Sequence, residues 1–248
     1  MTLPEALPEF VARADGTRLA FRHQQGKGPT IVFLPGYMSD MLGSKALALA
    51  AWAAREDRSM LRLDYSGCGE SDGLFEDGTL DIWRDDILAV IRHANAEQVV
   101  LVGSSMGGWL MLLVARALGR HVKAMVGIAA ASDFTAWGFS ETEKAEIAAH
   151  GRIERPSEYG YEAMVTTRAF WQSGEANRQL DSEIPIDCPV RLLHGQNDAD
   201  VPWETSIRLA ERLCSADVQT ILIKDGEHRL SRDEDIALLI DVVTKLTG

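Results

Sequence analysis

Ser105 stands between Gly103 and Gly107 in the run Gly103-Ser104-Ser105-Met106-Gly107, a spacing that suits a nucleophilic hydroxyl. The apolar segment Gln98-Val99-Val100-Leu101-Val102 precedes it, and Gly108-Trp109-Leu110-Met111-Leu112-Leu113 follows. That order reads as buried strand, sharp turn and helix. The two glycines let strand and helix approach where a Cβ would clash. A serine hydroxyl is a weak nucleophile until an imidazole takes its proton, and the imidazole needs a carboxylate to orient it. Two later loops supply both groups. Asp198 lies in His194-Gly195-Gln196-Asn197-Asp198-Ala199-Asp200, and His228 lies in Asp225-Gly226-Glu227-His228-Arg229. Each loop follows an apolar run, and the gaps leave room for whole strand–helix units. The expected roles are nucleophile for Ser105, orienting acid for Asp198 and general base for His228. Asp200, a candidate cap for a helix starting near Pro202, and Asp133 are the competing acids. His194 reads as a residue that closes its strand.

An oxyanion needs two backbone N–H donors. Met106, directly after the nucleophile, is one candidate. Tyr37, reached through the turn at Gly36, is the other.

The remaining elements follow from pattern. A hairpin around Asp15-Gly16 opens the chain. Strands are expected at Thr30–Leu34, Ser59–Leu63, Val122–Ala130, Cys188–Leu193 and Val218–Ile223, with helices at Ser44–Arg55 and Thr79–His93. Strands alternating with helices predict an α/β fold with a mostly parallel central sheet and helices on both faces. Residues 135–187 break that rhythm, with helical signals at Glu141–Ala149 and around Arg168–Leu180 but no buried strand. This divides the chain into an α/β core (1–134 and 188–248) and a lid insertion (135–187). Large apolar side chains in the lid and rim suit an acyl or aromatic group, and Met38, Trp109, Trp137, Trp171 and Trp203 are the substrate-binding candidates. Arg152, Arg155 and Arg168 are candidate partners for a carboxylate, weighed against solvated surface positions.

Composition narrows the classes. The chain has 248 residues, 46% of them hydrophobic, and carries a net charge of −12. An acidic surface repels phosphate backbones, which excludes a nucleic-acid binder, and no apolar run is long enough for a membrane span. The three cysteines are odd in number and scattered, without metal-ligand spacing. They fit reduced thiols and predict neither a metal nor an organic cofactor. The opening Met1-Thr2-Leu3-Pro4-Glu5 has no basic segment or apolar core, so a cytoplasmic location is expected.

The segments Leu34-Pro35-Gly36-Tyr37, Asp64-Tyr65-Ser66-Gly67, Val102 to Met111, Cys188 to Gly195, Val201-Pro202-Trp203 and Asp225 to Arg229 carry a family likeness. Together they resemble the α/β-hydrolase superfamily along nearly the whole chain. More narrowly, the chain is similar to the mitochondrial α/β-hydrolase-domain family of palmitoyl-protein thioesterases and acyl-glucuronide esterases. That resemblance implies the same triad of Ser105, Asp198 and His228. It also implies a small-molecule ester or thioester substrate, with acylated protein included. The expected reaction is therefore acyl transfer through an acyl-enzyme. The alternatives are a peptidase or C–C hydrolase on the same fold, or a non-catalytic receptor or scaffold. Oligomeric state is not legible in the sequence.

Overall fold

The computed structural model describes residues 7–156 and 163–248. The opening residues 1–6, on which the location expectation partly rests, and residues 157–162 of the expected lid lie outside them. Eight strands form one sheet: β1 (Glu9–Ala12), β2 (Arg18–Gln24), β3 (Lys27–Leu34), β4 (Arg58–Leu63), β5 (Val99–Ser104), β6 (Val122–Ile128), β9 (Val190–Gly195) and β10 (Val218–Ile223). Their spatial order is β1-β2-β4-β3-β5-β6-β9-β10. The first two strands pair antiparallel, and β2 pairs antiparallel with β4; every pairing from β4 to β10 is parallel.

Both faces of the parallel part are covered, which is why its strands read as almost continuous apolar runs. Alternate residues serve opposite faces. Val32, Leu34, Leu61 and Leu101 join one buried cluster with Trp83, Ile87 and Leu110, from helices α2 (Leu80–His93) and α3 (Met106–Leu118). Ile31, Phe33, Met60 and Val102 join the other with Leu49, Trp52, Leu239 and Val243, from α1 (Ser44–Arg55) and α8 (Asp233–Thr247). The start of α2 is set by Thr79, whose side chain accepts a hydrogen bond from the Ile82 amide at 3.2 Å. From there Leu80, Trp83, Ile87, Val90 and Ile91 bury one stripe.

Between β6 and β9 the chain builds a separate layer: α4 (Phe134–Trp137), α5 (Glu141–His150), the antiparallel pair β7 (Arg152–Arg155) and β8 (Met164–Thr167), and α6 (Arg168–Ala176). The pair β7–β8 is a correction, since no strand is expected there. Each strand is four residues long, and β7 carries Arg152, Glu154 and Arg155 around a single buried Ile153, so apolar alternation is absent. Helix α5 starts with a capping box between Ser140 and Glu143 and stops at Gly151, whose φ of 86° suits a residue without Cβ. Phe139, Ile147 and Ile153 form the layer's own small core, packed against Phe134 and Trp171.

The two ends of this layer are pinned together. Asp133, in the left-handed region at φ 57°, accepts hydrogen bonds from the Gln179 amide (2.8 Å) and the Leu180 amide (2.8 Å). Among the described residues no helix is long and apolar enough to cross a membrane.

Candidate active site

Ser105 occupies the turn from β5 into α3 with φ 53° and ψ −121°, a conformation that residues with a Cβ rarely adopt. Neighbouring backbone holds it there. Its amide donates to the Ile128 carbonyl (2.8 Å), and its carbonyl accepts from Gly108 (2.9 Å) and Ala131 (3.0 Å). The flanking glycines allow the turn to be this tight: an added Cβ at Gly103 would collide with the Gly107 carbonyl, and one at Gly107 with the Leu34 and Pro35 carbonyls. The hydroxyl therefore points away from the sheet end into open space, where Ser105 Oγ lies 3.1 Å from His228 Nε2.

His228 and Asp198 come from the loops after β10 and β9. Close contact between Gly195 and the Gly226 carbonyl leaves no room for a Cβ, and the Asn197 amide donates to Gly226 O at 2.9 Å. The loops are thus locked side by side, with His228 Nδ1 at 2.8 Å from Asp198 Oδ2. Nδ1 faces a carboxylate and so carries the proton, which leaves Nε2 as the acceptor for the serine hydroxyl. The other Asp198 oxygen accepts from the Asp200 amide (2.9 Å) and the Val201 amide (2.8 Å). Burial alone would raise the Asp198 carboxyl. Hydrogen bonds from His194 and His228, with the backbone donors, outweigh it and hold the group well below the ordinary carboxylate range.

That depression has a measurable consequence. A lowered folded pKa contributes stability above the unfolded value of about 3.9, and that stability is lost as pH falls through the folded value. Between about pH 4 and pH 2, wild-type protein is expected to lose thermal stability more steeply than Asp198→Asn, in which the group cannot titrate. Parallel slopes in calorimetry would count against this.

Asp200 does not cap the following helix. α7 (Glu204–Arg212) starts after Trp203 with no side-chain cap, and Asp200 instead lines the cleft over Ser105. The Asp133 carboxylate is taken up by the Gln179 and Leu180 amides. Asp198, Asp200 and His228 bring donor atoms within 4.8 Å of one another. Four hydrogen bonds already reach the Asp198 oxygens, however, so that carboxylate is poorly disposed to grip a cation.

The cleft measures about 1140 Å³. Tyr37 and Met106 line it beside Ser105, and Gly36 is so close that a Cβ there would sit 3.3 Å from Ser105 Cβ. Met106 opens α3, so its amide has no acceptor within the helix. The Tyr37 side chain turns away from the cleft's chemistry. Its hydroxyl donates to the Val165 carbonyl of β8 at 2.6 Å, and its ring packs against Phe75, Trp83, Phe134 and Phe170. Burial raises its phenol well above the ordinary value.

Of the expected substrate-binding side chains, Met38 and Trp137 line the cleft, and Trp109, Trp171 and Trp203 do not. Trp109 is fully buried beneath the inserted layer, its indole N–H donating to the Asn177 carbonyl (3.1 Å). Trp171 packs on the layer's small core and donates to Thr135 O. Trp203 stands at the start of α7. Phe134, Phe139 and Met164 take their place in the wall. Arg155 also lines the cleft, stacked 4.4 Å over Phe139 and paired with Glu143, whereas Arg152 pairs with Glu76 and Glu154 and Arg168 donates to the carbonyl end of α5. Lys45 is a wall residue that pattern alone does not single out. Burial and the nearby Arg229 guanidinium lower its ammonium to about 8, and it donates to the Arg229 carbonyl. Burial pushes the Cys68 thiol up to about 12, so it is not a nucleophile at neutral pH.

A mostly parallel sheet with a serine on the strand–helix turn, and acid and histidine past later strands, defines an α/β hydrolase. Residues 29–152 match the family described as alpha/beta hydrolase fold, and the chain belongs to it. It is 41% identical over 246 residues to the mitochondrial palmitoyl-protein thioesterase ABHD10 of Homo sapiens, covering 96% of this chain and 80% of that protein. The solved structure of mouse alpha/beta hydrolase domain-containing protein 10 superposes with a TM-score of 0.90 at 39% identity, over 97% of this chain and 98% of that one. Ferulic-acid-bound Est1E from Butyrivibrio proteoclasticus, at 22% identity, has a TM-score of 0.77 over 96% of each chain and shares the fold. The resemblance drawn from the motifs holds at the superfamily and at the narrower level.

Proposed function

We propose that the chain is a serine hydrolase that cleaves carboxylic esters or acyl thioesters through Ser105, His228 and Asp198. The observation that carries this reading is the hydrogen-bonded line from Ser105 Oγ through His228 to Asp198, at 3.1 and 2.8 Å, on a serine held at φ 53°. Ser105 Oγ attacks the acyl carbonyl as His228 Nε2 takes its proton. The oxyanion rests on the amides of Tyr37 and Met106. His228 then returns the proton to the leaving alcohol or thiol, and water repeats the sequence on the acyl-enzyme. No metal or organic cofactor enters any step.

In this proposal residues 135–187 act as the lid, and Phe134, Trp137, Phe139 and Met164 receive the acyl chain. The substrate class is a small-molecule ester or thioester, with an acylated protein side chain as a larger form of the same bond. The relatives named palmitoyl-protein thioesterases support a long acyl chain. The compartment in this proposal is a reducing one such as the cytoplasm, supported by three cysteines that are odd in number and scattered. The mitochondrial label belongs to the relatives.

A fluorophosphonate probe is expected to label wild-type protein and not Ser105→Ala. An unlabelled wild type would sink the proposal. Among ester and thioester substrates, each methylene buried in the apolar wall is worth about 0.8 kcal/mol, or roughly fourfold in kcat/KM, until the cleft is full. Trp137→Ala and Phe139→Ala should flatten that rise. A profile independent of chain length in the wild type would remove the acyl-chain assignment.

A further inference from the structure

His194 is fully buried at the end of β9, four residues before Asp198, in a strand that is otherwise apolar apart from Arg191. Its two ring nitrogens are both engaged. Nε2 lies 3.1 Å from Asp198 Oδ2 and 3.1 Å from the Val201 carbonyl, and Nδ1 lies 2.7 Å from Ser206 Oγ on α7. Both neighbours of Nε2 are acceptors, so Nε2 carries the proton. Ser206 Oγ, which can donate or accept, sits at Nδ1, so the ring is anchored at both ends. Asp198 Oδ2 is shared between two imidazoles, while Oδ1 is held by two backbone amides.

Resting on the reading of Ser105, His228 and Asp198 as the triad, we propose that His194 is a positioning residue. It donates Nε2–H to Asp198, fixes that carboxylate's rotation, and diverts part of its charge from His228. The plane of Asp198 is then set by a buried group that never meets substrate. The groups facing His228 are Asp198 at Nδ1, Ser105 at Nε2 and the Asp200 carboxylate, with Asp225, Glu227 and Arg229 on its own loop and Lys45 of α1 bound to the Arg229 carbonyl. Among these groups, Asp198 is the one that a substitution at His194 reaches directly.

The test compares pH profiles of ester hydrolysis for wild type, His194→Phe and His194→Gln, with Ser105→Ala as the inert reference. Phenylalanine keeps a planar ring but no donor, whereas the glutamine amide N–H reaches the region of Nε2. In His194→Phe, kcat should fall about tenfold with KM unchanged, the scale of losing one hydrogen bond to a charged group. The acid limb should shift with it, because Asp198 then holds one donor fewer beside His228. His194→Gln should restore both. A wild-type profile in His194→Phe, or an equal shift in both variants, overturns the proposal. If His194→Phe fails to fold, nitrogen NMR of the wild-type imidazoles decides: a proton on Nε2 of His194 is expected, and an Nε2 without one overturns the assignment. Turnover by Ser105→Ala would instead overturn the triad reading itself, so the two failures are distinct.

Discussion

Ser105→Ala is expected to lower kcat by about a millionfold while leaving KM and the fold nearly unchanged. The substitution deletes the oxygen that lies 3.1 Å from His228 Nε2 and that, in the proposed mechanism, forms the acyl bond. What would remain is the proposed oxyanion site and substrate binding, which alone sustain only a small residual rate. Ser105→Gly should be equally inactive yet more stable than wild type. At φ 53° and ψ −121°, a residue with a Cβ carries strain of about 1–3 kcal/mol. Glycine removes it at a smaller cost in unfolded-chain entropy. A net gain of about 1 kcal/mol would raise Tm by roughly 2–4 °C in a chain of this size. Calorimetry beside an ester assay reads both effects. Wild-type-like turnover in either variant would exclude Ser105 as the nucleophile, and an unchanged Tm in the glycine variant would mean that the turn stores no strain.

The second large effect concerns Trp83. It is completely buried, stacked on Tyr65 with ring centroids 5.7 Å apart, and its indole N–H donates to the Ser66 carbonyl at 3.0 Å. Phe75 and Phe170 lie within 5.6 Å of it, and Tyr37 within 6.2 Å. One side chain therefore ties α2, the loop after β4, α6 and the Tyr37 turn beside Ser105 into a single aromatic cluster. Trp83→Ala opens a cavity among these rings, so a loss of about 3–5 kcal/mol is expected. The orphaned Ser66 carbonyl adds to it. Urea denaturation should show a lower midpoint with an unchanged slope. Activity should fall too, because Tyr37, whose amide is the proposed oxyanion donor, loses a packing partner. A loss below about 1 kcal/mol would mean that the cluster repacks freely.

The legibility of this site in the sequence varied with the range of the forces involved. The β5–Ser105–α3 turn is local: a strand, two obligatory glycines and a helix lie in consecutive residues. Helix α1 and strand β10 show at their full bounds because their apolar patterns are short-range and unopposed. Aromatic side chains behave differently. Trp109 and Trp137 look alike as letters, but one is sealed under the inserted layer by Asn177 and the other faces the cleft. That difference depends on a tertiary contact 68 residues away. Strands β7 and β8 escaped for a related reason, since pairing across charged residues leaves no periodic signature. His194 carried a faint signal, a polar residue within a buried strand, but its partners lie on a loop and a helix that only the fold brings together.

The knot of hydrogen bonds at Asp133 bears on how such a chain can change over generations. Gln179 and Leu180 return to the residue where the chain left the sheet, although the amide of Gln179 is 46 positions away. The intervening polypeptide is a loop with a closed neck, and lengthening such a loop costs little, since closure entropy grows only with the logarithm of its length. Segments of other lengths can therefore close at this neck, provided that they still supply the Val165 carbonyl and the Phe134 and Phe170 rings against Tyr37. Selection for a new substrate then has a place to act at little cost in stability.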